Sequence, residues 1–140
     1  MAVPTPPEPS LSPEERDAFA RGVEQFNARH FFECHDTLED LWSGVRGPSR
    51  DFFQGLIQVA VGFYHLGNDN RGGAARLLDR ARRRLEGYPD RYGGIDLAAL
   101  REVVDDWRRA LAGPAGQASW PPVPTLRVVD EGETGRSIRR

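Results

Sequence analysis

The stretch Gln54-Gly55-Leu56-Ile57-Gln58-Val59-Ala60-Val61-Gly62-Phe63-Tyr64-His65 constrains this chain more than any other. It is apolar almost all round, and a helix can be so only when other elements surround it, so it belongs at the centre of a domain. Yet it carries Gln54, Gln58 and His65, which at about 100° per residue fall within roughly 40° of one another. A polar stripe on a helix with no solvent face needs polar partners, since a buried amide left unpaired costs on the order of 1 to 3 kcal/mol. The preceding segment, FFECHDTLEDLW from Phe31 to Trp42, reads as a second helix able to supply them.

At 140 residues the chain supports one domain with one core, and 39% hydrophobic content with a net charge of -2 is ordinary for a soluble globular protein. No apolar run reaches the roughly 18 residues a membrane helix needs, so no membrane association is expected. The N-terminal stretch lacks the basic start and apolar centre of a signal peptide, and a single cysteine cannot form an internal disulfide. Both features lead us to expect a cytoplasmic protein. All 19 basic residues are arginine, which removes lysine-based catalysis.

Three regions are expected. Residues 1–11 form a flexible Pro-rich leader, 12–112 a single helical domain, and 113–140 an extended, partly disordered tail. Ser12-Pro13-Glu14-Glu15 carries a capping box that starts a first helix running to about Ala28. A second spans roughly Phe31 to Val45, and a third, with Ser49 as cap, runs from Arg50 to Leu66. A fourth runs from Arg71 to Glu86 and ends at Gly87 as a C′ glycine would end it. Asp96 caps a fifth that reaches Ala112. Only Thr125 to Val129 alternates with period two, and it is too short to build a sheet alone. The expected fold is an all-α compact bundle of about five helices, with a central buried helical hairpin and extended Pro-rich termini. The Trp120 to Pro124 segment favours an extended conformation and is expected to dock on its own domain, with the last ten residues disordered.

A short loop makes helices two and three antiparallel, so residues at equal height have numbers summing to about 95. Glu39 then lies near Gln58, Trp42 near Gln54, and His35 between the heights of Gln58 and His65. With Asp36 intermediate, the candidate ligand or network residues are His35, Asp36, Glu39, Trp42, Gln54, Gln58 and His65. One reading is a satisfied hydrogen-bond network, in which glutamate accepts from histidine and the glutamine amides close the remainder. A second is a small-ligand pocket. A third is a divalent metal, held by His35, Glu39 and His65, serving a hydrolase with Asp36 or Glu33 as base. The chain has no HExxH and too few histidines for a di-iron bundle, so a metal cofactor is not expected. Cys34 and His35 are adjacent and therefore turned about 100° apart on a helix, which disfavours a nucleophilic pair and makes Cys34 a core residue. His30 has no assigned role. Arg76, Arg80, Arg83 and Arg84 share one face of helix four and offer an anion-binding stripe for phosphate or nucleic acid. The slight acidity of the chain disfavours nucleic acid. Glu33, Asp36 and Asp40 on helix two are expected to neutralise this stripe, within the molecule or across a dimer.

The motifs Phe32-Glu33-x-His35-Asp36-x-x-Glu39-x-x-Trp42, Arg50-x-Phe52-x-Gln54-Gly55-Leu56-Ile57-Gln58-x-Ala60, His65 and Gly67-Asn68-x-x-x-Gly72-Gly73-Ala74 together resemble one family. It is the domain of unknown function numbered 309, small helical proteins of bacteria and archaea. The likeness runs from about Phe26 to Leu85 and continues more weakly to Trp107. The family usually has glutamate where this chain has the shorter Asp36. The resemblance implies an all-α multihelical fold and an intracellular location, and it brings no activity. Its pattern falls on His35, Glu39, Gln54, Gln58 and His65. Whether the protein is an enzyme is left open, and the leading expectation is a non-catalytic binding or structural module that self-associates or engages a protein partner. The metal-dependent hydrolase and the arginine-stripe anion binder are the alternatives.

Overall fold

The computed structural model describes residues 5–114 and 119–129. The polar C-terminal ten, expected to be disordered, lie outside the described residues, as do the first four of the leader. Five helices form in chain order: α1 (Pro13–Asn27), α2 (Phe31–Ser43), α3 (Arg50–Gly67), α4 (Arg71–Leu85) and α5 (Leu97–Ala112). Among the described residues no helix is long and apolar enough to cross a membrane.

The helix starts follow side-chain chemistry. Glu15 N–H donates to Ser12 Oγ at 3.1 Å and Ser12 N–H to Glu15 Oε1 at 2.9 Å, with Pro13 in the first turn, which completes the capping box. Asp96 accepts from Ala99 N–H at 3.0 Å to cap α5, and Asn70 does the same for Gly73 N–H at 2.9 Å to start α4. Ser49 makes no capping bond. Its backbone is already right-handed helical (φ −76°, ψ −8°), not in the extended form that aims a cap oxygen at the first turn. Gly87 follows the end of α4 without the left-handed φ of a C′ glycine. The helix closes instead by tightening, with Glu86 N–H on Arg83 O and Tyr88 N–H on Leu85 O, both at 3.3 Å.

Helix α3 is the axis of the bundle, as its composition requires. Phe52, Phe53, Leu56, Val59 and Ala60 are fully buried. It lies between α2 and α4, with α1 packed on α2 and α5 on α4.

Between α4 and α5 the chain forms a feature the sequence reading did not foresee. Strands β1 (Arg91–Tyr92) and β2 (Ile95–Asp96) pair antiparallel around Gly93 and Gly94, both at positive φ (61° and 73°). Two consecutive glycines supply the left-handed pair that a two-residue hairpin turn demands. The period-two segment finds its partner here: Asp96 N–H donates to Arg127 O at 2.9 Å and Val129 N–H to Gly94 O at 2.7 Å. Trp120 stacks on Trp107 (5.6 Å, 9° between planes), and Trp107 Nε1 donates to Pro122 O at 2.8 Å, so the tail docks on its own domain. Asn27 pins it further, accepting from Leu126 N–H at 2.7 Å and donating to its carbonyl at 3.1 Å.

The described part of the leader lies against the domain. Tyr92 donates its hydroxyl to Pro7 O at 2.5 Å, Gly93 N–H donates to Glu8 Oε1 at 2.8 Å, and Leu11 packs against the core. Proline carbonyls keep full acceptor capacity, so a Pro-rich stretch can be held by donors that the hairpin presents.

Candidate functional site

Helices α2 and α3 meet in the expected register. Phe31 lies against Phe63 with ring centroids 5.7 Å apart, and Phe32 against Tyr64 at 5.5 Å. These pairs bracket the anticipated sum of about 95 for antiparallel neighbours joined by a short loop. The apolar pair points inward, whereas Phe32 and Tyr64 stand at the surface, 51% and 40% exposed.

The side chains of the candidate seam separate into an outer and an inner group. His35 is half-buried, with Nδ1 3.3 Å from Asp36 Oδ1 and Nε2 3.6 Å from Glu39 Oε1. Both carboxylates face solvent, at 62% and 52% exposure, and the second contact is too long for a hydrogen bond. His65 is half-buried on α3 with its ring 6.2 Å from that of Tyr64. On the inner side, Trp42 Nε1, Gln54 Oε1 and Gln58 Oε1 are buried and have no hydrogen-bond partner among the described residues. The anticipated closed network is therefore not formed: the glutamine oxygens do not bond to His35 or Glu39. The physical reason is that Asp36 and Glu39 lie on a part of α2 left open to solvent, so their carboxylates reach water instead of folding inward.

His35, Glu39 and His65, the ligand set of the alternative metal reading, are not brought together as one group among the described residues. Among the described residues no three His, Cys, Asp or Glu side chains are grouped so as to hold a metal ion. Cys34 is fully buried, and burial pushes its thiol up to about 12, so it stays protonated at neutral pH and serves as core. His30 occupies the N-cap position of α2 without making a cap bond.

Arg50, a motif residue without an assigned role, fixes the loop end of the seam. Its guanidinium lies 3.9 Å over the Trp42 ring, and Nη1 donates to Trp42 O at 3.1 Å and Val45 O at 2.8 Å. A cation over an indole that also satisfies the last carbonyls of α2 locks the α2–α3 corner from both sides.

The arginine stripe on α4 is partly neutralised, but not by the acids of α2. Arg84 pairs with Asp51 at 2.6 Å and Arg83 with Asp79 at 2.8 Å. Helix α3 lies between α4 and α2, which prevents the intramolecular pairing expected of Glu33, Asp36 and Asp40. Arg76 and Arg80 are exposed and have no ion-pair partner among the described residues. Arg82, off the stripe, binds Asp105 through Nε (3.0 and 3.1 Å) and also pairs with Glu86, while Arg108 bridges Asp105 at 2.9 Å and Asp79 at 2.7 Å. Partial burial pushes the Asp105 carboxyl up, but the bonds from Arg82 and Arg108 outweigh it and hold the group below its ordinary value. Arg82, Glu86, Asp105 and Arg108 line a surface cleft of about 610 Å³ between α4 and α5. The sequence pattern could not find this cluster, because its pairs join two helices about 25 positions apart.

The fold and site define a helical bundle domain whose motif residues build a corner between two helices and present aromatic and imidazole side chains beside it. Residues 19–77 match the model of a family described as Domain of unknown function (DUF309), in line with the motif resemblance. The chain is also similar to the uncharacterized protein YpuF of Bacillus subtilis (strain 168), with 38% identity over 65 residues. That match covers 46% of this chain and 37% of the relative, so the likeness spans little more than a third of YpuF. The matched family span holds the whole α2–α3 corner and ends within α4.

Proposed function

We propose that this protein is a non-catalytic binding module that engages a macromolecular partner through the surface where α2 meets α3. The observation that carries the reading is the pair Phe32 and Tyr64, two large aromatics in contact at 5.5 Å yet 51% and 40% exposed. Burying such rings on a rigid, helix-borne surface gives much area for little lost rotamer freedom, which is how aromatic anchors dominate protein interfaces. His35 lies 6.1 Å from Phe32 and His65 beside Tyr64, so the anchors are flanked by polar rings that can set the orientation of a partner. At the other end of the helix pair the Arg50–Trp42 corner holds the two helices in register, a structural role for the motif residues. The single cysteine, buried and unpaired, fits a reducing cytoplasm.

The test is site-directed photo-crosslinking in the native host, with the photoreactive residue at position 32 or 64 and a control at exposed Glu102 on α5. A discrete adduct from 32 and 64 that is absent at 102 supports the binding face. Adducts equal to the control at both positions, or none, refute it. A Phe32→Ala/Tyr64→Ala variant should keep its stability within about 1 kcal/mol while losing the adduct formed from position 35.

A further inference from the structure

We propose that the protein self-associates head to tail through charge, with the acidic outer face of α2 in one copy docked antiparallel on the arginine face of α4 in the next. This contact uses side chains other than the aromatic anchors of the preceding section, although Asp36 adjoins His35 beside them. Charge is strongly segregated along the bundle: α2 carries four carboxylates and no basic residue, and α4 carries six arginines against one aspartate. With α3 between them, the two faces cannot neutralise each other within one molecule.

The spacing of the charges selects the geometry. Glu33, Asp36 and Asp40 are separated by three and then four positions, and Arg83, Arg80 and Arg76, read backwards, are separated by the same intervals. Laid antiparallel, the rows pair Glu33 with Arg83, Asp36 with Arg80 and Asp40 with Arg76, each about 10 Å long at 1.5 Å rise per residue. A parallel arrangement puts the middle pair one residue out of step. All six side chains belong to exposed residues, and Arg76 and Arg80 have no competing carboxylate among the described residues. Arg83, held by Asp79 on its own helix, is still 76% exposed. Asp36 faces His35 at 3.3 Å but is 62% exposed and open to a second cation.

A second copy carries the complement of either face, whereas a basic or an acidic partner alone complements just one of them. Because acidic and basic patches lie on different surfaces, the contact is heterologous, and a pair of copies keeps one free acidic face and one free arginine face, one on each copy. Exposed pairs are weakened by salt, so the assembly should be weak and ionic-strength dependent.

The experiment is sedimentation velocity of the full chain at low and high ionic strength, about 20 and 300 mM salt. Wild type should form oligomers at low salt whose association constant falls at least about tenfold at high salt. Arg76→Glu/Arg80→Glu and Glu33→Arg/Asp40→Arg proteins should each be monomeric alone, whereas an equimolar mixture should associate, since the intact acidic face of one meets the intact arginine face of the other. Circular dichroism melts establish that each variant folds, and Arg76→Gln/Arg80→Gln replaces the reversal if it does not. A wild type that stays monomeric at low salt overturns the proposal. So does association that survives either charge reversal, or a mixture that stays monomeric. Phe32 and Tyr64 are untouched in every variant, so failure here leaves the crosslinking result standing.

Discussion

Gly55 lies directly against Leu85: a Cβ on that glycine would stand 2.7 Å from Leu85 Cδ2 and 2.8 Å from its Cγ. Two turns on, the same construction recurs, with a Cβ on Gly62 meeting Leu78 Cδ2 at 2.9 Å. Helix α3 thus presents a groove of missing side chains into which α4 inserts two fully buried leucines. Neither glycine is there for backbone freedom, since both sit in mid-helix.

Gly55→Ala should therefore destabilise the fold by about 1–3 kcal/mol through overpacking, although alanine favours helix by up to about 1 kcal/mol. Gly62→Ala should do the same to a smaller degree. Urea titration measures both, and a rise in the denaturation midpoint for either would contradict the close α3–α4 contact.

The tail is held by tryptophan stacking. Trp120→Ala removes the ring stacked on Trp107 and the partner of the Arg71 guanidinium, 5.0 Å from its centroid. The loss should be about 1 kcal/mol, with a changed near-ultraviolet circular dichroism signal and faster proteolysis after residue 114. Trp107→Ala, which empties a core site, should cost about 3–5 kcal/mol.

Cys34 should resist thiol reagents in the native protein. With no exposed surface and its thiol pushed up to about 12, modification at pH 8 should run at least about a hundredfold slower than in urea, and its rate should track global opening. Rapid labelling of folded protein would show that α2 opens locally.

Tyr92 supplies an alkaline limit to stability. Burial, then the neighbouring Tyr88 and Glu8, raise its phenol from 10.0 to about 12, while in the unfolded chain it ionises near the ordinary value. The folded state favours the neutral phenol, so its contribution is intact below pH 10 and is lost as pH rises from 10 through about 12. Tyr92→Phe should flatten the fall in melting temperature over that window, at the expense of the bond to Pro7 O.

Gln58 tests what the inner seam does. The residue is 7% exposed and its side-chain oxygen has no partner among the described residues, so Gln58→Met should be neutral or stabilising, within about 1 kcal/mol of wild type. A loss beyond about 2 kcal/mol would mean that a bound water satisfies the amide. Differential scanning calorimetry gives the answer.

The relative placement of the two helices that carry the candidate site was legible in the sequence. The antiparallel register of α2 and α3 follows from a short loop and the 3.6-residue period, and Phe31–Phe63 and Phe32–Tyr64 realise it. The closed His/Glu/Gln network was not realised, because periodicity places side chains on a helix face without saying how deep that face lies. Glu39 and Gln58 reach similar heights, yet one is half exposed and the other buried.

The sequence by itself determined the helices, their order and most of their starts, since capping oxygens, apolar periodicity and glycine breaks act over a few residues. It also determined that α3 must be central. Only the tertiary structure decided the Gly93–Gly94 hairpin with its Val128 partner, the docking of Pro7 and Trp120, the Arg50–Trp42 corner and the pairing of Arg82 with Asp105. Each joins residues whose proximity is created by packing the bundle, and no local rule along a chain records which distant partners a buried axis will bring together.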